Sequence, residues 1–299
     1  MTVTAPSTDP VADPALGRPG PAPLRLVRSE FLKLRTTNGW WLFVLGALVM
    51  LVIAILFNWV QADFMFSSAT PEGVSAEDAA VIEASRQSVV QAANLYTSGQ
   101  FFGLMFVMLV AIVIVTSEFH HLTATTTFLT TPRRTAVILA KLCLAILFGA
   151  ALWLVSLAIN LPSTIGILSL YDYSSLLGEW PVQRAILLNL LAYTLWGVLG
   201  VGIGVLIRSQ IGATIIGAVV YLIGTAAVAI LVAVLANGLG WEWVEDAQYA
   251  FPSVASGLMV SGTDLPGQPP YWVGALILVG WAVLTGAIGV AITRRRDIS

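Results

Sequence analysis

Six stretches of this chain are long enough to cross a bilayer, and none contains a Lys, Arg, Asp or Glu. They are Trp40–Val60, Gly99–Ser117, Leu142–Leu161, Ala185–Ile207, Ile211–Leu235 and Trp272–Thr293. A hydrocarbon core of ~30 Å needs about 20 apolar residues in helical form. Only helices and closed barrels satisfy their backbone groups there. The ten-residue alternation of barrel strands is absent, so the expected fold class is an all-α membrane protein with six transmembrane helices. Charged residues make up only 10% of the chain, and its mean hydropathy is +0.88, far from a soluble domain. The lone Cys143 falls in the third span, where it is expected to be a small buried apolar residue.

The basic residues set an orientation. With the N-terminus in the cytosol, twelve of the 14 Lys and Arg lie inside, leaving only Arg86 and Arg184 outside. This is strongly positive-inside. Acidic residues divide the other way, with eleven of 16 outside. Both termini are then cytosolic, and Arg294-Arg295-Arg296 stops the last helix. Residues 1–23 lack a basic region leading into an apolar core, so they read as a disordered cytosolic tail and not as a signal peptide. Residues 294–299 form a basic cytosolic C-terminus, and residues 40–293 form one membrane domain.

Residues 24–37 predict an amphipathic helix just before the first span. Leu24, Val27, Phe31 and Leu34 make an apolar stripe, with Arg25, Arg28, Lys33 and Arg35 on other faces. Such a helix lies in the interfacial plane. Outside, Ser75 begins a helix expected to run from Ala79 to Tyr96. The stretch from Ala236 to Tyr271 predicts a re-entrant or interfacial helical hairpin. Gly200 with Gly204, and Ala282 with Gly286, have the spacing of close helix packing.

The segment between spans two and three, Glu118 to Lys141, is longer than a turn requires, whereas Arg208-Ser209-Gln210 suffices between spans four and five. It carries Phe119, Leu122, Phe128 and Leu129, apolar side chains that suggest a docking surface. Chemistry is scarce elsewhere. The only histidines, His120 and His121, are adjacent and point about 100° apart on a helix, so no metal site is expected. The only lysines, Lys33 and Lys141, sit in Leu-Lys-Leu and Ala-Lys-Leu, so neither belongs to a phosphate-binding loop. The chain is not expected to be an enzyme, to hold a cofactor or to bind nucleic acid.

Two segments carry a family resemblance. Residues 116–134 read Thr116-Ser117-Glu118-Phe119-His120-His121-Leu122-Thr123-Ala124-Thr125-Thr126-Thr127-Phe128-Leu129-Thr130-Thr131-Pro132-Arg133-Arg134. Residues 28–37 read Arg28-Ser29-Glu30-Phe31-Leu32-Lys33-Leu34-Arg35-Thr36-Thr37, followed by an aromatic pair. Together with Phe251-Pro252-Ser253 before the last span, they resemble permeases of the second ABC-exporter class. The resemblance implies a plasma-membrane exporter of two six-span permeases, expected to be a homodimer, with two cytosolic ATPase subunits that carry the ATP and Mg. It implies a coupling loop in which Glu118, Phe119, His120, His121, Leu122, Thr123, Phe128, Leu129, Arg133 and Arg134 meet the ATPase. It implies an elbow helix whose interface is Arg28, Glu30, Phe31, Lys33 and Arg35. Spans two and five would line the substrate path, with Phe101, Phe102, Phe106 and Tyr221 as candidates. The chain departs from the family at His120-His121-Leu122, where a basic residue followed by His-Gly is usual. Two other readings stay open from the residues alone: an ion-coupled carrier or channel, and a non-transporting anchor or sensor.

Overall fold

Six helices long and apolar enough to cross a membrane organise the computed structural model, which describes residues 23–37, 39–68, 73–120, 134–207, 209–241 and 243–295. A short helix α1 (Pro23–Thr36) precedes the first span, α2 (Trp40–Ser67). Then come α3 (Ala76–Arg86), α4 (Ser88–Tyr96) and α5 (Gln100–His120). The remaining spans are α6 (Arg134–Ser169), α7 (Trp180–Leu206) and α8 (Gln210–Ala233), the last widening to π geometry over Val234–Gly238. Two short helices, α9 (Trp243–Ala247) and α10 (Pro252–Ser261), lead to the sixth span, α11 (Tyr271–Arg295). Among the described residues there is no strand.

The helices outrun the charge-free stretches. The 36 residues of α6 extend about 54 Å at 1.5 Å per residue, well beyond a ~30 Å core. Their ends therefore take in Asp63, Glu118, Lys141 and Arg184, which the charge-free windows left out. Span two is also interrupted. Its outer part, α4, ends at Tyr96, and Gly99 at φ +76 re-aims the chain into α5. Asn58 Nδ2 donates to Ser98 Oγ at 2.8 Å, and Asn160 Nδ2 donates to the Ser98 carbonyl at 3.0 Å. Side-chain amides thus satisfy backbone and hydroxyl groups that the interruption frees, as a bilayer demands.

At the centre stands α5, with Leu104, Val107, Met108, Ile112 and Val115 all buried. It runs parallel to α7. A Cβ at Gly200 would strike the Met108 carbonyl, and one at Gly204 would lie 3.1 Å from the Ile112 carbonyl. The glycine pair is therefore a packing surface. By contrast, α2, α8 and α11 turn Phe57, Val60, Ile223, Ile230, Leu276 and Val283 outward, more than 60% exposed, as helices facing lipid do.

Three expectations are corrected. The external helix does not run unbroken to Tyr96: it divides at Gln87, and α4 sinks into the bundle with Val90, Ala92, Leu95 and Tyr96 buried. Its small residues let it enter between helices instead of riding on the surface. Cys143 is exposed on the outer face of α6, because Lys141 and Leu144 take the inward positions. On α1, Phe31 is 51% exposed while Glu30 is buried, so the inner face is rotated away from the purely apolar stripe. Before span six the chain forms the single short helix α10, which buries Ala255, Leu258, Met259 and Val260.

Candidate functional site

Pro23 at the start of α1 suits the first turn, where its missing N–H costs nothing. Lys33 and Arg35 occupy the last turn, where cations offset the helix dipole. Glu30 and Leu34, one turn apart, form the face buried against the bundle. Burying a carboxylate there is costly unless it finds a partner. Its partners are Lys33 on the same helix and Lys141 two turns into α6, and Glu118 near the end of α5 shares both cations.

The four side chains close into a ring of alternating charge. Lys33 Nζ lies 2.7 Å from Glu30 Oε1 and 2.6 Å from Glu118 Oε1. Lys141 Nζ lies 2.5 Å from Glu30 Oε2 and 3.2 Å from Glu118 Oε1. It also donates to the Ile114 carbonyl at 3.1 Å, within the last two turns of α5. Each carboxylate meets both ammonium groups, and the ring is neutral overall. Glu30, Glu118 and Lys141 are buried, whereas Lys33 reaches the rim with its side chain 37% exposed. Burial alone would lower the Lys33 pKa, but the hydrogen bonds and charges of Glu118 and Glu30 outweigh it and hold that pKa above the ordinary lysine value.

A buried ion cluster of this kind adds little net stability over an apolar replacement, yet removing one member strands the others. What it does fix is register. Glu30 can meet Lys141 only when α1 lies at one angle across α5 and α6. Leu34 packs beside the ring with Ile114, Ile138 and Val205, so apolar contacts reinforce that angle.

Sequence reasoning placed Glu30, Lys33 and Glu118 among the site residues but in two separate groups, the elbow interface and the coupling loop. The structure brings these three together and adds Lys141, which the reading missed. The available signal was that the only two lysines each interrupt an apolar run. Arg28, Phe31 and Arg35 of the elbow set are exposed beside the ring. Phe119 and His120 lie in the last turn of α5, and Arg134 opens α6. The positions His121, Leu122, Thr123, Phe128, Leu129 and Arg133 lie outside the described residues.

The substrate-path candidates form a second cluster, on the half of the bundle away from the ring. The Tyr221 ring packs 4.9 Å from Phe101 and 4.8 Å from Trp196, and Phe101 meets Phe102 edge-on at 5.2 Å. Tyr221 Oη donates to the Phe101 carbonyl at 2.6 Å, and Trp196 Nε1 donates to Ser256 Oγ at 2.8 Å. These contacts join α5, α7, α8 and α10. Phe106 fills the notch left by Gly46 on α2. Among the described residues, no group of three or more His, Cys, Asp or Glu is placed to hold a metal ion.

No family model matches this chain, and no curated protein gives a significant match.

Proposed function

We propose that this chain is the membrane-spanning permease subunit of an ATP-driven exporter, moved by a separate cytosolic ATPase. The observation that carries the reading is the charge ring. It ties α1 to the end of α5 and the start of α6, the two helix ends that bracket residues 121–133. A force on that bracketed segment would reach three helices as one rigid unit, and α5 is the buried centre of the bundle. Coupling energy needs such a contiguous, packed route.

The absence of charge from the middle of the six spans favours this reading over an ion-coupled carrier, which keeps titratable groups at mid-membrane. In this reading the chain is a multi-pass plasma-membrane protein with both termini in the cytosol, as the division of Lys and Arg supports. Two ATPase subunits bind ATP and Mg, and a second permease, a copy of this chain, completes the assembly. The broad exposed faces of α2 and α8 leave room for it. Phe101, Phe102, Phe106 and Tyr221 would border the path of an apolar or amphiphilic cargo.

The experiment is co-purification of the full chain with its ATPase, comparing wild type with Phe128→Asp/Leu129→Asp. Placing two carboxylates in an apolar docking contact costs several kcal/mol, so the ATPase is lost while the membrane chain stays folded. An ATPase retained and stimulated normally by the double variant refutes the assigned docking surface.

A further inference from the structure

A groove of about 600 Å³ runs along the outer surface between α6, α7 and α11. Leu142, Val198, Ala282, Gly286, Val290 and Ala291 line it, and its lining is apolar throughout. The groove exists because α7 and α11 approach so closely beneath it that a Cβ at Gly202 would lie 2.6 Å from Thr285 Cβ. Small side chains on α11 then leave a channel where larger ones would stand. Along α11 it extends from Val279 to Ala291, about 18 Å at 1.5 Å per residue. One leaflet contributes roughly half of a ~30 Å core, so the groove matches the depth of a single leaflet.

One end of the groove is marked by charge. Helix α11 continues one turn past Val290 and Ala291 to Arg294 and Arg295, positions that follow them on the same helix faces. Helix α6 opens at Arg134, two turns before Leu142. Basic positions at the headgroup level beside an apolar channel between transmembrane helices suit an anionic lipid.

We propose that this groove is a binding site for a phospholipid with an anionic headgroup, its acyl chain lying along Gly286 and its phosphate at the Arg294–Arg295 end. A second copy of the chain is the poorer occupant. Two α11 helices inserted in the same direction would set Arg294 and Arg295 against their own kind, and like charges repel. The site stands independently of the transport reading, since it needs no ATPase and no cargo.

The test uses the purified full chain in mild detergent, offered phosphatidylglycerol and phosphatidylcholine with identical acyl chains. Bound lipid and oligomeric state are read together by mass measurement of the intact protein. Wild type retains phosphatidylglycerol in preference. A Cβ at Gly286 would meet only Val198, at an ordinary 3.5 Å, so the side chain of Gly286→Leu has the groove to enter. It lowers retention of both lipids about ten-fold, the loss of roughly two buried methylenes. Arg294→Gln/Arg295→Gln keeps lipid in the groove but erodes the preference for phosphatidylglycerol by about five-fold per arginine. This surface variant reads the proposal even if Gly286→Leu fails to fold. Equal retention of the two lipids by wild type, an unchanged preference in the arginine variant, or unchanged retention in a folded Gly286→Leu overturns it. So does a Gly286→Leu variant that loses a dimer and no lipid, which would give the groove to a second copy.

Discussion

The Lys141 ammonium lies 2.5 Å from the Glu30 carboxylate, across 111 residues of chain. Between them come α2, α3, α4 and the whole of α5. That contact therefore fixes how α1 sits against the bundle more directly than any feature of α1 itself.

Replacing Lys141 by Met should expose this dependence. Glu30 and Glu118 would lose Lys141, the buried one of the two cations they share, and breaking a buried ion pair costs about 3–5 kcal/mol. The expected outcome is a lower thermal unfolding midpoint for the purified chain, with faster proteolysis at the α1–α2 junction. The double variant Glu30→Gln/Lys141→Met recovers part of the loss, because it removes the stranded carboxylate along with its partner.

Stability near neutral pH should not report on this ring through Lys33. Its folded pKa is raised above the ordinary value of 10.5, so its contribution is fully present below the unfolded pKa. That contribution is lost only as pH rises through the still higher folded value. Unfolding midpoints of wild type and Lys33→Met should differ by a constant amount between pH 6 and 9 and converge in strong alkali. A gap that changes between pH 6 and 9 would contradict the ion pairs assigned to Lys33.

Position 120 is a histidine, and an unperturbed imidazole changes charge within that neutral window. In the proposed exporter, coupling between ATPase and permease is expected to weaken as pH rises. ATPase activity of the assembled complex measured from pH 5.5 to 8 should fall in wild type and flatten in His120→Gln. Parallel profiles would remove His120 from the coupling route.

Much of the bundle was legible because a bilayer admits few solutions. Apolar length alone located the six spans, and Gly200 with Gly204 announced a close helix contact whose partner, α5, only the fold identifies. The interruption at Thr97–Gly99 was not legible, since its stabilisers, Asn58 and Asn160, come from two other spans. The charge ring was half legible. Glu30, Lys33 and Glu118 were singled out through the family resemblance, but a helical stripe reads a carboxylate as outward-facing unless its distant partner is known. Only the fold supplies Lys141. Cys143 failed for a related reason: an apolar run has no internal mark of which face meets lipid.

The far end of the bundle has its own fastening. Arg184 donates from Nε to the Gly262 carbonyl at 2.7 Å and lies 4.0 Å over the Tyr271 ring, joining α7 to the turn between α10 and α11. Gly262 adopts φ +63, and a Cβ there would lie 2.8 Å from Ala185. Gly262→Ala should therefore cost about 1–3 kcal/mol through strain and collision. Thermal unfolding measures it, and a change below a few tenths of a kcal/mol would show that the turn can rearrange.

In the proposed exporter an external motor drives the bundle, and the mass of the intact complex tests that most directly. The chain, purified gently from its native membrane, should carry two copies of itself with two copies of an ATPase that contains a phosphate-binding loop. Quantitative recovery of the chain with no ATPase bound, under conditions that preserve other membrane complexes, would contradict it.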